Sequence, residues 1–166
     1  LAKGTSTRKW VVDADIKGAF DNIGHEPLLR AIGQFPAREL VKQWLKAGYV
    51  ELGQMHETPT GTPQGGVISP LLANIAFHGM EQVLGVAYDA DGHLRPNSPA
   101  LVRYADDFVV FCRSEEQARR CLDKLSAWLA ERDLQLSEEK TQLVPLSEGF
   151  DFLGFTFGRY HSPRTC

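Results

Sequence analysis

Two five-residue apolar runs, Ala100–Tyr104 and Phe108–Cys112, are separated only by Ala105-Asp106-Asp107. Runs this short, joined this closely, are too brief for helices and form a hairpin. The acidic tip of an otherwise apolar hairpin is the feature that most restricts the chain. Turn chemistry by itself accounts for it, because Asp is a favoured turn residue.

The rest of the chain can be built around that hairpin. Lys9–Ile16 (KWVVDADI) is β-branched and apolar, and reads as a strand ending among acidic residues. His25–Gly33 and Pro36–Lys46 carry helical apolar spacing, with Pro36 placed to start the second helix. Tyr49–Leu52 and Met55–Thr58, separated by Gly53-Gln54, form a small hairpin, followed by a Gly/Pro loop over Gly61–Gly66. Ser69 as a cap and Pro70 at the first helical position open a helix with Leu72, Ile75, Ala76, Gly79, Met80 and Val83 on one face, stopped by Gly85. Tyr88–Pro99 is a polar surface loop. Ser114 and Gln117 make a capping box for a helix striped by Ala118, Cys121, Leu122, Leu125 and Leu129. Thr141–Leu146 and Phe150–Phe157 supply the last strands. The order strand, helix, hairpin, helix, strand is βαββαβ: an α+β, ferredoxin-like antiparallel sheet with helices packed on one face. That scaffold hosts many activities, so function has to be argued from the site.

The chain has 166 residues, enough for one domain with a sizeable core, and we find no linker or repeat that divides it. Its 43% hydrophobic and 23% charged residues exclude a disordered polymer. Its apolar runs are far shorter than a membrane span, and no signal-type segment opens it. Cys112, Cys121 and Cys166 are an odd, scattered set without metal-binding spacing, which points to a reduced, cytoplasmic setting. The five histidines, His25, His56, His78, His93 and His161, show no ligand spacing either. The net charge of −3 lacks the basic footprint of a whole nucleic-acid-binding protein. Either nucleic acid is not the partner, or this is the acidic piece of a larger protein; the start at Leu1 favours a fragment.

The carboxylates carry the chemistry. Asp13 and Asp15 have the same parity and share one face of their strand. In a ferredoxin-like sheet that strand lies beside the central hairpin, so its acidic end meets the tip at Asp106 and Asp107. Carboxylates converging there repel unless a cation neutralises them. Oxygen ligands with no His or Cys cluster select Mg²⁺ or Mn²⁺. Two such ions about 4 Å apart are the usual apparatus of in-line phosphoryl transfer.

Five segments in order resemble the sequence blocks of reverse transcriptases, in their group II intron (intron-encoded maturase) form. Tyr104-Ala105-Asp106-Asp107 resembles the YxDD box, and Asp13–Asp21 (DADIKGAFD) the first catalytic block. Gly61–Ile75 (GTPQGGVISPLLANI) resembles the nucleotide-binding block, and Leu134–Thr141 (LQLSEEKT) and Phe150–Phe155 (FDFLGF) the last two palm blocks. The likeness covers nearly the whole chain. It implies a single palm domain over residues 1–166, with fingers-proximal helices and hairpin at about 25–60, and with the full fingers and thumb absent. The implied activity is RNA-directed DNA synthesis, two-metal transfer of a nucleotide from dNTP to a primer 3′-hydroxyl. The implied partners are an RNA template, a DNA primer, dNTP and, in the full-length protein, intron RNA.

The resemblance also assigns roles. Asp15, Asp106 and Asp107 match the catalytic metal ligands, with the Ile16 backbone carbonyl as a further contact and Asp13 as a flanking acid. Parity alone left Asp13 and Asp15 equivalent. Phe20 matches a steric gate against the sugar C2′. Gln64 and Gly65 match the nucleotide pocket, and Lys140 a lysine facing the triphosphate. Phe152, Leu153 and Gly154 match the hairpin that supports the primer. Taken singly, Phe20 and Phe152 are ordinary core residues and Lys140 an ordinary surface charge. Arg103 is open between contacting phosphate and pairing with a carboxylate. Two other readings compete: a non-catalytic RNA-binding scaffold that promotes splicing, and a reverse transcriptase of a retron, CRISPR or defence system. A nucleotide cyclase fits poorly, since its hairpin tip is GG-rich.

Overall fold

The structure is a computed structural model that describes residues 7–62 and 66–158. Its central sheet has four antiparallel strands in the order β4-β5-β1-β6: β1 (Trp10–Asp15), β4 (Ala100–Tyr104), β5 (Asp107–Cys112) and β6 (Gln142–Pro145). Helices α1 (Ala19–Asn22), α2 (His25–Ile32), α3 (Arg38–Lys46), α4 (Ser69–Ala76) and α5 (Met80–Leu84) lie between β1 and β4, and α6 (Glu115–Ala130) links β5 to β6. This is the expected α+β, ferredoxin-like arrangement. Two separate hairpins complete it, β2 (Tyr49–Glu51) with β3 (Gln54–His56), and β7 (Phe150–Phe152) with β8 (Phe155–Phe157).

The pleat divides the sheet chemically. Val12, Ala14, Phe108, Val110 and Cys112 point to one face and join Ala118, Leu125 and Leu129 of α6 in the main core. The opposite face carries Val11 and Val109, against which Phe150 of β7 packs. Phe150 meets Phe111 edge-on at 5.9 Å and stacks on Phe157 at 5.5 Å. The β7–β8 hairpin is thus held on the uncovered face by a small aromatic cluster, next to the acidic strand end.

α6 begins at the expected cap, with the return bond one residue earlier than a capping box places it. The Ser114 hydroxyl accepts from the Gln117 N–H at 3.3 Å, and the Gln117 side chain accepts from the Arg113 N–H at 2.8 Å. The long helix expected after Ser69 is instead broken. Gly79 has φ 104, which no helix continues, and the face running from Leu72 to Val83 is split between α4 and α5. The break lets α4 pack on α1 and α2 while α5 packs on α6. The cap is Ile68 rather than Ser69, which is buried as the first helical residue. The first hairpin turns at Leu52-Gly53, one residue earlier than expected. The scattered cysteines also meet: Cys112 and Cys121 are buried and free, with Sγ atoms 3.9 Å apart. Among the described residues no helix is long and apolar enough to cross a membrane.

Phe150→Ala should cost about 3 kcal/mol in urea denaturation. Amide exchange should accelerate across residues 150–157 and not in β5; equal protection of that hairpin in the variant would refute the packing argument.

Candidate active site

The register of β1 on β5 sets Asp15 directly opposite Asp107, and Asp13 opposite Val109. Asp13, Asp15 and Asp107 therefore share the uncovered face, with Asp15 and Asp107 at its very end and Asp13 two residues further in. Asp106 occupies the turn with Ala105, whose φ of 54 is strained for a residue with a Cβ. Geometry thus separates the two acids that parity could not: Asp15, not Asp13, faces the hairpin tip.

Asp15 is 8% exposed, and a carboxylate so buried needs a partner. Lys140 supplies it, donating from Nζ to Oδ2 at 2.8 Å. The loop before β6 is stitched to the end of β1. Ser137 N–H donates to the Asp15 carbonyl and Lys17 N–H to the Gln135 carbonyl, flanking the bridge between Ile16 and Leu136. Those bonds occupy the β6 side of the strand, so alternation turns the Ile16 carbonyl to the β5 side, toward the Asp106 turn. A tight turn closed by Thr141 Oγ1 donating to the Ser137 carbonyl at 2.6 Å then presents Lys140.

The electrostatics reflect the crowding. Burial, then the charges of Asp15 and Asp106, push the Asp107 carboxyl above its usual range. Asp13 is likewise pushed up, by burial and then by Asp107 and Asp151. Lys140 is raised by its bond to Asp15 and by that carboxylate's charge. An open cleft of about 470 Å³ is lined by Asp13, Asp15, Asp107, Lys140, Gln142 and Asp151, among others. Asp151, on β7, is an acid that sequence reasoning passed over; only the packing of Phe150 brings it here.

Phe20 is half-buried on α1 and packs on the main core. Its carbonyl accepts from the Thr62 N–H at 2.6 Å, and Gly61 N–H donates to the Ile23 carbonyl. His25 Nε2 lies 2.8 Å from the Gly61 carbonyl. Gly61 has φ 77, and a Cβ there would stand 2.4 Å from the Phe20 carbonyl oxygen, so only glycine allows the approach. Phe20 and the start of the Gly61–Gly66 loop are thereby brought together. Gln64 and Gly65 lie outside the described residues. Phe152 packs in the small cluster, while Leu153 and Gly154 form the exposed turn of β7–β8.

Hard carboxylate donors, mutual repulsion and an ammonium standing where a cation is needed all suit a divalent ion. The tightest grouping of possible ligands among the described residues is elsewhere. Asp89, Asp91 and His93 offer ligand atoms within 4.8 Å of one another in the surface loop, although His93 showed no ligand spacing in the sequence. All three are exposed, and Asp89 Oδ1 already accepts from the Asp91 and His93 N–H groups, so turn structure accounts for the cluster. The carboxylates at the sheet end do not form such a three-residue cluster, and Asp15 among them is paired with Lys140.

The profile of the family "Reverse transcriptase (RNA-dependent DNA polymerase)" matches residues 1–157. The chain is 30% identical to the group II intron-encoded protein LtrA of Lactococcus lactis subsp. cremoris, over 89% of this chain and 34% of that protein. It is 29% identical to protein YkfC of Escherichia coli K12, over 96% of this chain and 49% of that protein. The chain therefore spans a third to a half of these relatives. In fold it resembles apo telomerase from Candida tropicalis, with a TM-score of 0.69 at 16% identity, over 90% of this chain and 34% of that one.

Because folding raises the Asp107 pKa, the folded state binds the proton more tightly than the unfolded chain. The contribution of Asp107 to stability is then greatest below the ordinary carboxylate range and falls as pH rises through it toward the raised value. With divalent ions chelated, Asp107→Asn should have a higher Tm than wild type at pH 7, and the gap should close near pH 3, below the usual Asp value of about 3.9. A lower Tm at pH 7 would contradict the repulsion.

Proposed function

The chain belongs to the reverse transcriptase family, and we propose that it is the catalytic palm of an RNA-directed DNA polymerase. The observation that carries this reading is the pairing of Asp15 with Asp107, beside Asp106 in the turn, at the open end of the sheet. Asp15, Asp106, Asp107 and the Ile16 carbonyl would hold two Mg²⁺ ions, for which Mn²⁺ can substitute. Bound there, the ions would activate a primer 3′-hydroxyl and neutralise the triphosphate and leaving pyrophosphate.

The remaining roles belong to the chain's own groups. Lys140, which donates to Asp15, would face the triphosphate and give a proton to the departing pyrophosphate oxygen. The Phe20 ring, anchored through its backbone to the Gly61 loop, lies against the incoming sugar and excludes a 2′-hydroxyl, which makes the substrate a dNTP. Gln64 and Gly65 extend that loop along the nucleotide. Phe152, Leu153 and Gly154 support the primer end from the β7–β8 hairpin, whose packing on the acidic face brings it close to the carboxylates.

The likeness to LtrA supports a group II intron host, with an RNA template, a DNA primer and intron RNA as partners. Residues 25–60 would be the fingers-proximal part, with the basic fingers and thumb contributed from outside this chain. Retention of all three carboxylates argues against a splicing scaffold that has lost catalysis.

Primer extension on an RNA template by the full-length protein tests the reading. Asp106→Asn should lower Mg²⁺-dependent DNA synthesis by on the order of 10³-fold. A well-folded wild type that binds RNA yet makes no DNA would overturn the assignment in favour of the scaffold. Phe20→Ala should raise ribonucleotide incorporation relative to wild type in the same assay; unchanged sugar discrimination would remove Phe20 from the gate.

A further inference from the structure

Arg103 neither pairs with a catalytic carboxylate nor stands on their face of the sheet. It sits opposite Phe108 in the β4–β5 register, on the helix-covered side. From there Nη1 donates to the Ala105 carbonyl at 2.9 Å and to Asn74 Oδ1 at 3.0 Å. The guanidinium lies over the Phe77 ring, 5.5 Å from its centre. One side chain therefore touches three things: the strained peptide of the acidic turn, the outer face of α4, and the residue that ends α4.

We propose that Arg103 and Asn74 are a positioning pair that sets the Ala105-Asp106 turn and couples it to the helix following the nucleotide loop. The inference rests on the polymerase reading above. Ala105 at φ 54 is in a region that an alanine leaves readily, and a backbone outlier persists only where its surroundings over-determine it. The bond from Arg103 to the Ala105 carbonyl is such a constraint, and Asp106 is the next residue. Asn74 and Phe77 hold the guanidinium so that the donor cannot swing away. A planar fork stacked on a ring suits this, and a lysine does not reproduce it. α4 begins three residues after Gly66, so displacement of α4 is transmitted through Asn74 to the turn that carries Asp106.

The test uses the full-length protein with Arg103→Ala, Arg103→Lys, Asn74→Ala, Asn74→Asp and the double alanine variant. Single-nucleotide insertion should show kcat lowered on the order of 10²-fold in Arg103→Ala, as expected for a misplaced reacting group. KM for dNTP should stay within about threefold, because nucleotide binding itself is not removed. Mn²⁺ binding to the protein alone, read by electron paramagnetic resonance, should weaken about tenfold. Asn74→Asp, which keeps the acceptor, should rescue what Asn74→Ala loses. The double variant should be no worse than Arg103→Ala, since both act through one contact.

Unchanged kcat and Mn²⁺ affinity in Arg103→Ala would overturn the proposal. So would additive losses in the double variant, or losses that follow Tm while Mn²⁺ affinity stays constant. If wild type makes no DNA, the polymerase reading falls, and Mn²⁺ affinity across the series still decides the positioning role. If Arg103→Ala fails to fold, Arg103→Lys and substitutions at exposed Asn74 carry the same comparison.

Discussion

The register between β1 and β5 is set by which residues must be buried. Val12, Ala14, Phe108 and Val110 have to face α6, because that is where the sheet is covered. A slip of one residue would turn Asp13 and Asp15 into the main core and carry the apolar set to the open face. Burying two unpaired carboxylates is prohibitive, so the apolar face locks the pairing. Asp15 and Asp107 are then forced opposite one another although they repel. The hydrophobic side of the sheet in this way holds together an arrangement that its polar side would not adopt unaided.

The repulsion is met locally. Lys140 reaches Asp15 from a loop whose backbone is bonded to the end of β1, so the counter-charge comes from a distant part of the chain and is present only when β6 is in place. The ammonium remains largely exposed, with two thirds of its side-chain surface accessible. An exposed ion pair is weak and screened by salt. That makes it a poor permanent clamp. The site is thus preorganised in backbone and left adjustable in its charges.

Much of this was legible in the chain and some was not. Strand parity put Asp13 and Asp15 on one face, and the two apolar runs located the hairpin, because both depend on neighbours within a few residues. The capping box of α6 is equally local. The choice of Asp15 came from the resemblance; the register sets Asp15, and not Asp13, opposite Asp107. The broken helix at Gly79 was missed because an apolar stripe reads the same whether it is continuous or bent onto two different neighbours. Asp151, the Cys112–Cys121 contact and the partners of Arg103 depend on elements far apart in sequence, which no periodicity encodes.

The alanine of the acidic turn follows from the same competition between stability and placement. A residue with a Cβ in the left-handed region costs about 1–2 kcal/mol, which glycine would avoid. Glycine would also open many other conformations to the peptide that carries Asp106. Alanine confines the turn to fewer states at a modest energetic cost, and the bond from Arg103 to its carbonyl selects among them. The strain sits one residue from Asp106, and it is held by contacts on the covered face. Rigid packing on the helix side and an open cleft on the other are therefore two sides of one arrangement: a scaffold firm enough to keep like charges together at an edge that stays open.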